Sequence, residues 1–442
     1  MNMCRFLCFK RYFKGFAPMR QFLILLFLAA CAGTTSFSEK NLKGFVGAPD
    51  ESTRQVGQNI LLKGGNAADA MAAMILNETV VMPSRAGLSG GGICQIYDDK
   101  SGKVKTLDFL PVQVPQTKAG LPALPRGVFA LQSQYGISRW SEVMKPAIIH
   151  AQKGVLVSAE LAKDIEKAEK LPASWKALKI GDVLQQPRLA QTLSLMSQSG
   201  TGVFYKGVWA DKMAAAAFNL GYPYGAESLK TIRPQWTDST AVSTGKGKAF
   251  FPNTSALSDK SSLVWKQITS HHDLIQVSKG KETLRRMENQ STENTFEGIG
   301  LMATDKNGLT VACAVGMGGL FGEGMYLKDQ GFFLSNGLSY DHPEDIAVVI
   351  QTNPDETDVS LVLAGAGQKA VVDGLRFMES AVFGEKSMAS AVKEVQSEAT
   401  TPRAVLDEMP IFVCRNGYPN QVAGCRANAV VQPVYDQKAA GN

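Results

Sequence analysis

The chain has 442 residues, 45% of them hydrophobic and 19% charged, with 42 Gly and 19 Pro, which excludes a disordered or collagen-like protein. Its length supports one large domain or two, with a core big enough to stand without disulfides or metals. The net charge of +6 invites a polyanion as partner, but five of the 46 basic residues (Arg5, Lys10, Arg11, Lys14 and Arg20) stand in residues 1–30 with no acidic residue among them. The rest is near neutral, which excludes a basic footprint for nucleic acid.

Taken in chain order, the first element is the apolar run Gln21–Ala30 behind Arg20. It is too short to span a bilayer, for which about 20 residues are needed, and suits the core of a secretory signal. It ends in Leu28-Ala29-Ala30-Cys31, which resembles the lipobox of bacterial lipoproteins. Residues 1–30 are therefore expected to be a lipoprotein-type signal, with Cys31 as the lipidation site and Met19 as an alternative start. An ordinary signal peptide cut at a small residue is the other reading, and export follows from both. Ala32, with no Asp after the cysteine, points to the outer membrane, with the protein facing the periplasm. Residues 31–45 read as a polar tether, and 46–442 as one domain.

From Asp50 the pattern gives a helix, a Gly64-Gly65 stop and an Ala-rich helix capped near Asn66. A glycine loop, Gly87–Gly92, leads into strands at Cys94–Tyr97 and Val104–Phe109. Helices are expected at Gly127–Tyr135, Trp140–Ala151, Ser158–Glu169, Leu189–Gln198 and Val208–Asn219. Strands follow at Gly298–Thr304, Leu309–Val315, Gly331–Leu334 and Val359–Leu363, then helices at Leu375–Val382 and Ser387–Val395. This order predicts a layered α/β (α+β) domain.

Seven cysteines occur, of which Cys4 and Cys8 belong to the leader. Cys414 and Cys425 bracket a turn-rich segment and are a disulfide candidate in an oxidising compartment. Cys94 and Cys313 lie in apolar runs and are expected as buried thiols. No Cys-x-x-Cys pair is present, and His150, His271, His272 and His342 lack ligand spacing, so no metal or other cofactor is expected.

Several stretches together resemble the gamma-glutamyltranspeptidase family of N-terminal-nucleophile hydrolases. They are Gly64-Gly65-Asn66-Ala67-Ala68-Asp69-Ala70, Pro83 with Gly87–Gly92, Leu107-Asp108-Phe109, Tyr135–Trp140 and Lys145–Ile148. Leu189–Leu193, Phe204–Gly207, Asp305-Lys306-Asn307-Gly308, Phe321-Gly322 and Ser335-Asn336 continue the series in order, from about residue 47 to 380. The resemblance implies a four-layer αββα sandwich, made as a precursor that cuts itself. The freed N-terminal Thr would attack a γ-glutamyl amide such as glutathione, its own α-amine serving as base, while glycine amides hold the oxyanion.

At the positions where the family carries this chemistry, the sequence departs. Counting back from Asp305, the nucleophile position falls on Gly298, which has no hydroxyl. The second active-site Thr falls on Gly316, its Asn on Gly318, and the two residues that grip the substrate on Gly337 and Tyr340. The Arg expected after Asp108-Phe109 is Leu110. Of the oxyanion loop, Ala364-Gly365-Ala366-Gly367-Gln368 keeps Gly365 and Gly367 as candidates. Thr295 could serve as nucleophile only through a three-residue slip, which turns a strand's faces over. The favoured expectation is a tethered member without γ-glutamyl chemistry that binds a small-molecule amide or peptide, its protein partner unknown. The alternative is an active amidohydrolase cut near Thr295. Gly87-Leu88-Ser89-Gly90-Gly91 also fits G-x-S-x-G, but it lacks the strand–turn–helix context of a nucleophile elbow, and close backbone packing explains the glycines better.

Overall fold

In the computed structural model the described residues are 37–115, 117–222, 225–254, 260–270, 273–289, 296–337, 345–367, 369–398 and 408–436. Strand β1 (Leu42–Gly47) opens the fold, so residues 42–45, expected in the tether, already belong to the sheet, where Phe45 and Val46 are fully buried. Helix α1 (Glu51–Leu62) is capped by Asp50, whose carboxylate accepts from the Thr53 N–H at 3.0 Å. After Gly64, at φ +91°, helix α2 (Ala67–Val81) starts with a capping box between Asn66 and Asp69. Every residue of α2 is buried.

The first sheet adds β2 (Gly91–Asp98), β3 (Lys103–Phe109), β4 (Gln235–Asp238), β7 (Gly298–Asp305), β8 (Thr310–Gly316) and β13 (Val431–Tyr435). Its order is β13-β1-β7-β8-β2-β3-β4. The second sheet is β12-β11-β10-β9-β6-β5, from β5 (Thr240–Thr244), β6 (Gly247–Phe251), β9 (Ile346–Thr352), β10 (Val359–Ala366), β11 (Ile411–Tyr418) and β12 (Cys425–Ala427). The pairings in both sheets are antiparallel.

Alternation along β7 and β8 sorts the core into layers. Ile299, Leu301, Ala303, Val311, Cys313 and Val315 face α1 and α2, together with α3 (Leu124–Tyr135), α4 (Trp140–Lys153), α5 (Ala159–Lys167), α6 (Pro187–Ser199) and α7 (Val208–Asn219). Met302, Ala312 and Ala314 face the other sheet and meet Val348, Val362 and Ala364 there. On the far side of the second sheet, Leu361 and Leu363 pack against α8 (Lys260–Ile268), α9 (Leu274–Asn289), α10 (Ala370–Met378) and α11 (Met388–Glu398). Three apolar seams between four layers make the αββα sandwich.

Cys94 and Cys313 face each other across β2 and β8 and are joined as a disulfide. This corrects the expectation of two buried thiols: the residues are 219 apart in sequence, and only the strand pairing reveals that they are opposite. Cys414 and Cys425 are bridged across β11 and β12.

Candidate functional site

Pro49 turns the chain out of β1, so the pairing of β1 with β7 ends at Gly47 opposite Met302. Residues 298–301 of β7 pair with β8 on one side and, among the described residues, with no strand on the other. In the second sheet, Gly365 and Ala366 pair with β9, while the β11 register reaches only Leu363. The two strand edges border one cavity of about 480 Å³, closed by the start of α1, the end of α2, Arg85 and Glu408. A volume of this order suits a small ligand.

Two arginines line the cavity, and both are engaged. Arg54 donates to the Ala48 and Pro49 carbonyls and to Glu51. Arg85 donates to both oxygens of Asp164, at 2.8 and 3.0 Å, and to Glu408 at 2.8 Å. Burial works against the Arg85 cation, but the hydrogen bonds and charge of Asp164, with Glu408 and Glu297, raise its pKa. Ser84 donates a further bond to Asp164, whose side chain is 1% exposed.

Glu78 is different. It lies in the last turn of α2, is fully buried and lines the cavity, yet neither carboxyl oxygen makes a hydrogen bond among the described residues. Burial pushes its pKa well above the usual carboxylate range and Asp50 adds to this, while the nearby Thr53 hydroxyl, Arg54 and Arg85 oppose it. Burial therefore favours the neutral form of this carboxyl. Sequence reading missed it, although a lone glutamate in a helix apolar all round is a detectable signal.

Gly298 is the first residue of β7, and its surroundings are full. A Cβ there would lie 2.4 Å from the Val315 carbonyl oxygen, 2.9 Å from the Ala366 Cβ and 3.1 Å from the Phe296 ring. The same ring stands 2.4 Å from where a Gly316 Cβ would be, and a Gly300 Cβ would meet the Ala364 oxygen at 2.0 Å. Phe296 is held by its N–H to the Asp345 carboxylate at 3.0 Å, and the carbonyl of Asp345 accepts from the Gly367 N–H at 2.9 Å. Leu110 is buried in the same apolar seam as Phe296. Gly318, at φ +71°, and Gly337 are pressed against Asn336 and Gln113.

Gly365 borders the cavity beside Gly298, with Met409 filling the space a Cβ would take, whereas Gly367 faces open space. Ser89 is fully buried and its hydroxyl donates to the Phe333 carbonyl at 2.6 Å, while the neighbouring glycines lie tight against strand carbonyls. Ser158 lines the cavity, but its hydroxyl caps α5. Thr295, Cys31 and Tyr340 lie outside the described residues. Among the described residues, the arrangement offers buried charge, one buried carboxyl whose neutral form is favoured, and two strand edges.

A family model described as Gamma-glutamyltranspeptidase matches residues 53–116 and 110–249. The glutathione hydrolase proenzyme of Pseudomonas aeruginosa is 31% identical over 215 residues, 42% of this chain and 38% of that one. The glutathione hydrolase of Aspergillus flavus is 33% identical over 237 residues, 48% and 40% of the two chains. These matches span about two fifths of the relatives' own length. The fold extends much further: a cephalosporin acylase from Bacillus halodurans superposes with a TM-score of 0.69 at 17% identity, over 89% of this chain and 96% of that one. The family match ends at residue 249, ahead of β7, where the site glycines lie.

Proposed function

Because the chain belongs to the gamma-glutamyltranspeptidase family, we propose that it keeps the family scaffold without γ-glutamyl hydrolysis or transfer and serves as an exported, lipid-anchored binding protein. The observation that carries this reading is the filled space at Gly298. A threonine there needs room for a β-carbon and a hydroxyl, and the Val315 carbonyl, Ala366 and Phe296 occupy it. Leu110, packed in the seam with Phe296, supplies no cation for a substrate carboxylate. Nucleophile and carboxylate partner contribute separate interactions to one transition state, and both are lacking. The ligand would be a small amide or peptide entering the cavity beside Gly365.

The anchor would be a lipid on Cys31 in the bacterial outer membrane, with the domain facing the periplasm. The bridges Cys94–Cys313 and Cys414–Cys425 fit such an oxidising compartment. Among the described residues no helix is long and apolar enough to cross a membrane.

The purified protein is expected to release no nitroanilide from γ-glutamyl-p-nitroanilide above a heat-denatured control. Turnover abolished by Thr295→Ala would instead establish the alternative, an amidohydrolase cut near that residue.

A further inference from the structure

The cavity is lined by Asp50, Glu51, Glu78, Glu160 and Glu408, against Arg54 and Arg85 alone. Arg54 is bound by Glu51 and two carbonyls, and Arg85 by Asp164 and Glu408, so neither is free for an anion. An incoming carboxylate or phosphate would find neither arginine free and would face five carboxyl groups in the lining. A cation would find Glu78 fully buried, with both oxygens unpartnered among the described residues. The Thr53 hydroxyl nearby is too weakly placed to satisfy this carboxyl, and buried polar groups left without a partner are rare because they are costly.

The remaining walls match a cation with an apolar body. Met82, Ile299, Met409 and Val430 give aliphatic surface. Along an antiparallel strand, alternate residues turn their N–H and C=O toward each edge. The stretch 298–301 of β7, which among the described residues has no strand on the side where β1 has ended, therefore offers backbone carbonyls as well as N–H groups toward that side.

We infer that this cavity binds a small organic cation, an ammonium or guanidinium group on a compact apolar body, with Glu78 as its buried counter-ion. The inference deepens the proposed function, since it names the chemical class the site takes in place of a γ-glutamyl group. Burial disfavours the charged form of Glu78, whereas a cation beside it favours the carboxylate, so binding is expected to release protons. The ionisable groups around it are Asp50, Glu51, Arg54, Arg85, Glu160 and Glu408, with Asp164 behind Arg85.

The test is titration calorimetry of the full mature protein with L-argininamide, with the uncharged Nα-acetyl-L-citrullinamide and glutathione as comparisons. Repeating it in buffers of different ionisation enthalpy counts protons released. Argininamide is expected to bind with a Kd on the order of 0.1–1 mM, with acetylcitrullinamide at least about tenfold weaker and glutathione silent. Glu78→Gln should weaken argininamide about tenfold and abolish proton release. Glu160→Arg, an exposed change at the rim, should weaken it several-fold without touching the core. Should the Gln variant not fold, the rim variant decides. Absence of heat at 10 mM argininamide, or variant affinities equal to the parent's, overturns the site. Binding is read without turnover, so its failure leaves the loss of γ-glutamyl chemistry standing, and turnover would overturn that loss without touching the binding result.

Discussion

Two residues decide the chemistry of the site, and they were legible to different degrees. Gly298 could be named by counting from Asp305, but only the structure reveals the Val315 carbonyl and the Phe296 ring in its place. Gly298→Thr is therefore expected to restore no activity and to destabilise the fold by about 1–3 kcal/mol through overpacking, read as a lower urea midpoint. Glu78 was overlooked because apolar periodicity marks a helix as buried without asking what a carboxylate inside it would touch. Its folded pKa lies above its unfolded value, so the folded state binds the extra proton between the two. Its contribution is full below the ordinary glutamate pKa and is lost as pH rises through the raised one. Urea unfolding of Glu78→Gln should accordingly show a smaller loss of stability between mildly acidic and mildly alkaline pH than the parent. An unchanged slope would show that Glu78 is ionised at neutral pH.

Elements with strong periodicity or clear caps were readable in the sequence. The helix at Val208–Asn219 has the predicted ends, and Asn66 caps α2 where the Gly-Gly stop placed it. Residues 221–297 gave no pattern, yet they hold β4, β5, β6, α8 and α9. Those strands are four or five residues long, and several positions in β4 and β5 are solvent-exposed, so side-chain alternation has little to display. The Cys94–Cys313 bridge was hidden for another reason, since pairing of distant strands is not a local property. It ties β2 to β8 at the centre of the first sheet. Replacing both cysteines with Ala should cost roughly 2–4 kcal/mol, with peptide mapping under non-reducing conditions confirming the parent linkage. Arg85→Ala should cost about 3 kcal/mol in chemical denaturation, because Asp164 would be left buried without its cation.

At the scale of the whole molecule, the four-layer sandwich followed from resemblance, while composition and element order predicted only a layered α/β domain. The family match covers only one region of the chain, residues 53–249. The helices and strands up to residue 249 carry the family match, while the strands that build the site lie beyond it. The fold tolerates this because each seam needs only apolar residues of about the right size. The glycines at 298, 300 and 316 are pressed against strand carbonyls or the Phe296 ring, and Leu110 lies in the apolar seam. The proposed function holds that the scaffold persists without a self-made nucleophile. Intact-mass analysis of the purified mature protein, with N-terminal sequencing of every band on a denaturing gel, tests it most directly. One uncut chain is the predicted result; two fragments, the smaller beginning with Thr or Ser, would contradict it.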